Sequence, residues 1–136
     1  MGLYSSSKIS LELISEHLRL ELEPFGVNVL SVVTGGVRSQ GQTYFEDWKL
    51  PEGSIYASIE DIIANRTRGK DGKPREDTQI YAKSVVNDIV RGASGKVWRG
   101  SGAGAIKFML KWVPQAALDK MTAKDTGIDQ LSGKSQ

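Results

Sequence analysis

Cysteine is absent from this 136-residue chain, and histidine occurs once, at His17. Without thiols there is no disulfide framework and no thiolate metal site, and one imidazole cannot build a multi-histidine centre. No apolar run approaches the length of a membrane span, and Met1-Gly2-Leu3 does not read as a signal peptide. Charge is nearly balanced, 18 basic residues against 16 acidic for a net +2. No dense run of Lys and Arg forms a nucleic-acid arm. These absences set a metal-free, soluble, intracellular protein as the expectation. With 39% hydrophobic residues, the chain has material for one domain with a modest core.

Proline is scarce as well, four residues in all, and each marks a break. Residues 5–24 predict a long helix. Leu11, Ile14, Leu18 and Leu22 repeat at spacings of three and four, and Ile9, Leu13 and Leu20 widen the stripe. Ser5, Ser6 or Ser7 offers an N-cap oxygen, and Pro24 and Gly26 end the helix. So broad an apolar face is expected to be buried on more than one side, by a sheet and by a second subunit. His17, in mid-helix, reads as a packed or interface residue.

Val27 to Val33 is short, β-branched and almost wholly apolar, the pattern of a strand buried on both faces of a parallel sheet. It runs into Thr34-Gly35-Gly36-Val37, a glycine turn at the strand's carboxyl end, where open α/β sheets bind ligands. Helices are expected over about 54–68 and 75–91, separated by the turn Lys70–Pro74. A short strand follows at Lys96–Arg99. Gly100 to Gly104 reads as a turn rather than a phosphate cradle, because no β-α-β unit surrounds it. Ile106–Val113 starts a helix that Pro114 interrupts. Its alternation of apolar and basic residues suits fold packing, with a membrane surface as the alternative. Arg66, Arg68, Lys70 and Lys73 read as a solvated face. Tyr44, Phe45 and Trp48 suit a core or the wall of an apolar pocket.

One constellation carries chemistry. Tyr4 and Lys8, four residues apart, share a helix face. A phenol with a reference pKa near 10 is a poor proton donor at neutral pH; an adjacent ammonium favours its phenolate, which lets it exchange a proton with a carbonyl or alcohol oxygen.

The order of these features resembles the carboxyl-terminal half of the short-chain dehydrogenase/reductase family. The matching stretches are Tyr4-Ser5-Ser6-Ser7-Lys8, Leu18 to Val27, and Val32-Val33-Thr34-Gly35-Gly36-Val37. Through Trp98, Gly100, Pro114 and Asp119 the chain is most similar to a fungal branch that includes acyl-dihydroxyacetone-phosphate reductases. The resemblance implies an α/β fold: an incomplete, helix-rich half of a Rossmann-like, doubly wound parallel sheet. It would span residues 1–124, with 125–136 as a polar, disordered tail.

It also implies hydride transfer to or from a small carbonyl or alcohol, lipid-like in this branch. Tyr4 would be the catalytic acid/base, and Lys8 would hydrogen-bond the nicotinamide ribose. Thr34, in the place of the family's usual proline, would contact the cofactor with Gly35, Val37 and Ser39. NADP(H) is the preferred cofactor by analogy, with NAD(H) the alternative. The family's amino-terminal fingerprint, Thr-Gly-x-x-x-Gly-x-Gly, does not occur, nor does its carbonyl-polarising serine. The expectation is therefore that Met1 is internal to a longer protein, and that this chain alone binds cofactor poorly and is inactive. The rival expectation is a non-catalytic module joining a full-length homologue, or a second copy, through helix 5–24. Placement in the cytoplasm, or peripherally on the endoplasmic reticulum or a lipid droplet, completes the reading.

Overall fold

The serines that looked like caps lie inside the first helix. In the computed structural model, which describes residues 2–131, α1 runs from Gly2 to Leu22. Ser6 Oγ donates to the Gly2 carbonyl at 2.8 Å and Ser7 Oγ to that of Tyr4 at 2.7 Å. Their hydroxyls turn back on the preceding turn instead of opening the helix. A 3-10 turn, Glu23–Phe25, and Gly26 then reverse the chain. β1 (Leu30–Thr34) pairs in parallel with β2 (Gly95–Arg99), Leu30 opposite Gly95 and Thr34 opposite Arg99. Between them lie 3-10 turns at Gln40–Phe45 and Ala57–Ile59, α2 (Glu60–Thr67) and α3 (Thr78–Val90). After β2 come α4 (Ala103–Trp112) and α5 (Gln115–Thr126), parted by Pro114, and a closing 3-10 turn at Ile128–Gln130. The fold is α/β with a two-stranded parallel sheet, consistent with part of a Rossmann-like fold.

One expectation about extent is corrected. The tail was to be disordered from 125, yet α5 continues through Thr126 and the 3-10 turn reaches Gln130; residues 132–136 lie outside the described residues. The described residues form two compact units, residues 2–37 with 75–104 and residues 38–74 with 105–131.

In the first unit, α1 and α3 pack against the strand pair. α3 is well started: Asp77 caps it, Oδ1 accepting from Gln79 N–H at 2.9 Å and Ile80 N–H at 3.4 Å, a motif worth about 1 kcal/mol. The α3 face turned inward is Tyr81, Ser84, Val85 and Asp88, whereas Ile80, Ile89 and Val90 are exposed. Asp88 receives Arg99 of β2 in a two-pronged ion pair, Nε to Oδ2 at 2.7 Å and Nη2 to Oδ1 at 2.6 Å. The Arg99 guanidinium, first by hydrogen bonding and then by charge, holds the Asp88 carboxyl below its ordinary range.

Burial is lighter than the hydrophobic pattern predicts. No residue of α1 is buried, His17 is exposed, and β1 is half-buried instead of enclosed on both faces. The reason is arithmetic of surfaces: two strands cannot cover the apolar faces of a six-turn helix.

The second unit is helical. Its buried residues Ile59 and Ala64 sit at the start and middle of the segment leading through α2. Arg68 donates to the Phe45 and Trp48 carbonyls, and Glu60 Oε1 accepts from the Leu50 N–H at 3.0 Å, so α2 holds the irregular 45–50 segment at both ends. Tyr44 is 81% exposed, so it is not the core residue it resembled. Among the described residues no helix is long and apolar enough to cross a membrane, and no group of three or more acidic or histidine side chains is placed to hold a metal.

Candidate active site

The Tyr4–Lys8 pair forms as its spacing dictates. Lys8 Nζ lies 5.3 Å from the centroid of the Tyr4 ring, within cation–π range. Tyr4 itself is 66% exposed, open to a ligand.

Two contacts fix which end of the sheet this pair occupies. Arg19 runs beside Gly95, at the start of β2, and Glu12 forms an ion pair with Lys96, one residue on. Moving toward the strands' carboxyl ends therefore means moving toward the beginning of α1. At about 1.5 Å rise per residue, Lys8 and Tyr4 lie roughly 16 to 22 Å up the axis from Arg19. The strands climb about 13 Å from Leu30 to Thr34. The beginning of α1, with Tyr4 and Lys8, therefore lies toward the strands' carboxyl ends, the side on which Thr34–Val37 leaves the sheet.

That turn is held from two directions. Gly35 N–H donates to the Arg99 carbonyl at 2.8 Å, Gly36 N–H to that of Ser101 at 2.8 Å, and the Gly36 carbonyl accepts from Ser101 and Glu76 at 3.0 and 2.9 Å. A Cβ on Gly35 would stand 2.4 Å from the Ser101 carbonyl oxygen and 3.0 Å from the Ala103 nitrogen. Glycine is required here by close approach of this chain's own backbone. Thr34 Oγ1 shares a 2.8 Å hydrogen bond with the Tyr81 hydroxyl. Val37 bridges Glu76.

Tyr4, Lys8, Thr34, Gly35 and Val37 all belong to the first unit. Ser39 belongs to the second, where it precedes the 3-10 turn Gln40–Phe45 in extended backbone. Sequence reasoning missed Tyr81, Asp88 and Arg99. Their signal was present in α3, where Tyr81, Val85 and Asp88 fall at spacings of four and three and put one carboxylate on a packing face.

For a nicotinamide cofactor the fit is partial. An exposed phenol with an ammonium beside it, at the carboxyl end of parallel strands, suits the ribose and the reacting oxygen of a substrate. The Gly100–Gly104 segment is spent otherwise: Ser101 is bridged to Gly36, and Gly100 packs on Gly35 and Val37. It is not a diphosphate cradle.

A parallel strand pair, crossover helices and a tyrosine–lysine pair at the carboxyl end define a piece of a Rossmann-like α/β protein. Comparison with known proteins narrows the class. The chain is 40% identical over 128 residues to a short-chain dehydrogenase of Penicillium ochrochloron, a match covering 94% of this chain and 46% of the relative. It is 40% identical over 115 residues to one of Penicillium crustosum, 85% of this chain and 42% of the relative. It is 33% identical over 135 residues to an NADPH-dependent 1-acyldihydroxyacetone phosphate reductase of Saccharomyces cerevisiae, 96% of this chain and 44% of the relative. No family model matches, and no solved structure does. The chain's sequence relatives are short-chain dehydrogenases/reductases of fungi. The chain spans about half the length of the curated relatives it matches.

Proposed function

We propose that this chain is the acid/base-bearing part of a nicotinamide-dependent oxidoreductase that interconverts a small carbonyl and its alcohol. The observation that carries this reading is the Tyr4–Lys8 pair, on one face of α1 at the end that runs toward the carboxyl ends of β1 and β2. The exposed Tyr4 hydroxyl donates its proton to the substrate oxygen during reduction and takes it back during oxidation. Lys8 supplies positive charge beside the phenol as that proton leaves, and its ammonium suits a ribose hydroxyl. A nicotinamide, when bound, supplies or accepts the hydride. Thr34, Gly35 and Val37, in the turn that leaves β1, are the residues of this unit assigned to the cofactor. NADP(H) is favoured because the yeast relative is NADPH-dependent by name. A lipid-like carbonyl substrate is supported by the same likeness.

The chain alone is proposed to be inactive. Its glycine-rich turn is closed onto Gly36, and its sheet has two strands. The test uses the native protein carrying these residues, purified from its own cells, with ketone-dependent NADPH oxidation as the readout. Tyr4→Phe is expected to abolish turnover and to leave cofactor binding intact. Undiminished turnover in that variant would refute the acid/base role. The 136-residue chain made alone should show no saturable turnover; if it does, the inactivity proposal is wrong and the acid/base assignment is untouched.

A further inference from the structure

A cleft of about 740 Å³ lies wholly within the second unit, in the size range of small-molecule sites. Its floor is apolar. Met109 and Leu110 lie one turn beyond Ile106 on α4, and Met121 lies one turn beyond Leu118 on α5. Ile106, Leu110 and Met121 stay 43%, 62% and 53% exposed, so the cleft is lined with apolar side chains that packing leaves uncovered.

One rim is cationic. Arg66 Nη1 and Lys73 Nζ donate to the same oxygen, Asp125 Oδ2, at 3.0 and 2.6 Å. Lys124 adjoins them on the cleft wall. Hydrogen bonding from Lys73 foremost, then its charge and that of Arg66, holds the Asp125 carboxyl below its ordinary range. It therefore stays ionised at neutral pH, with both cations bonded to it. The wall as a whole sets Arg66, Lys73 and Lys124 against Asp119 and Asp125, a net positive charge. A smaller cleft on the same Arg66, Lys73 and Asp125 adds Lys70 and Asp71 to this corner, one charge of each sign, and leaves the balance unchanged.

An apolar trough ending at a positive corner is complementary to one kind of molecule. We infer that the second unit binds a single-chain anionic amphiphile. The alkyl or acyl chain lies between α4 and α5, and its phosphate or carboxylate head lies against Arg66, Lys73 and Lys124. Every residue of the site belongs to the second unit, so the inference stands apart from the Tyr4 chemistry.

Calorimetric titration of the full chain tests it, with dodecyl phosphate and dodecanoate kept below their micellar concentrations and no cofactor present. Saturable binding at one site is expected, with affinity falling about tenfold for every two methylenes removed. Whichever of the two binds more tightly identifies the head group. Dodecanol and dodecyltrimethylammonium should bind about tenfold more weakly or not at all, and inorganic phosphate should show no saturation. Met121→Glu should lose the binding, while Leu13→Glu, on the exposed face of α1, should keep it. A cationic amphiphile binding as tightly as the phosphate, a flat chain-length series, or equal losses in the Met121 and Leu13 variants would overturn the proposal. If Met121→Glu fails to fold, head-group and chain-length selectivity of the unaltered chain still decides.

Discussion

The two units of this chain solve the same problem differently. The second closes on itself: Ile59 and Ala64 are buried, Gly127 lies against Ile62, and Arg68 and Glu60 fasten the irregular segment to α2. The first is organised by polar and backbone contacts. Its strands pair, Arg99 grips Asp88, and the Gly35 turn is threaded against Ser101, but α1 buries none of its residues. The lesson concerns what an apolar pattern means. In α2 hydrophobic spacing marks residues that are covered, whereas in α1 the same spacing marks residues that are not. Periodicity reports the face that suits burial; the covering surface must come from elsewhere.

The largest effect expected from breaking the first unit comes from Gly35→Ala. The new methyl meets the Ser101 carbonyl at 2.4 Å, and a backbone oxygen cannot rotate away, so a loss of about 3 kcal/mol is expected. Amide hydrogen exchange, read residue by residue, should show deprotection of β1 and β2 while α2 and α5 keep theirs. Equal deprotection of both units would show that they unfold together and that the contrast drawn here is only geometric.

Asp88→Asn comes next, and its signature is in pH. Because Arg99 depresses the folded carboxyl, Asp88 contributes stability above its ordinary value of 3.8, and that contribution is lost as pH falls through the lowered value. The variant should melt several degrees lower at neutral pH. The gap to the unaltered chain should close in acid. A gap that persists below the lowered value would mean that shape, rather than charge, matters at this position.

In the second unit the counterpart is Gly127→Ala. Here φ is +74°, and the nearest atom, Ile62 Cδ1 at 2.6 Å, is the end of a side chain that can swing aside. The cost is mainly the left-handed backbone, about 1 kcal/mol. It should appear in urea denaturation followed at α2 and α5.

How far the sequence disclosed this arrangement depends on the range of the contact. Helix α1, β1, the Thr34–Val37 turn, α3 and β2 are legible because local spacing and glycine or proline breaks set them. So is the Tyr4–Lys8 pair, which needs one helical turn. The α5 helix beyond 124 was hidden by its polar composition: Gln115, Asp119 and Lys124 stand where an apolar stripe would be sought. The Asp88–Arg99 and Asp125–Arg66–Lys73 clusters were hidden because they join residues 11 and 59 positions apart, and nothing local in a carboxylate announces its partner. The division into two units was least legible, since residues 38–74 leave the first unit and the chain then returns to it.

The smallest expected effect is also the sharpest test of the comparison. Leu13 stands 59% exposed on α1. If the stripe on that helix belonged to the first unit's own core, Leu13→Glu would remove a buried leucine and cost several kcal/mol, as core truncations do. The structure shows the leucine in water, so the change should stay within about 0.5 kcal/mol. Equilibrium denaturation of the isolated chain reads the difference directly. A small value leaves the apolar face of α1 as a surface that this chain builds and does not itself cover.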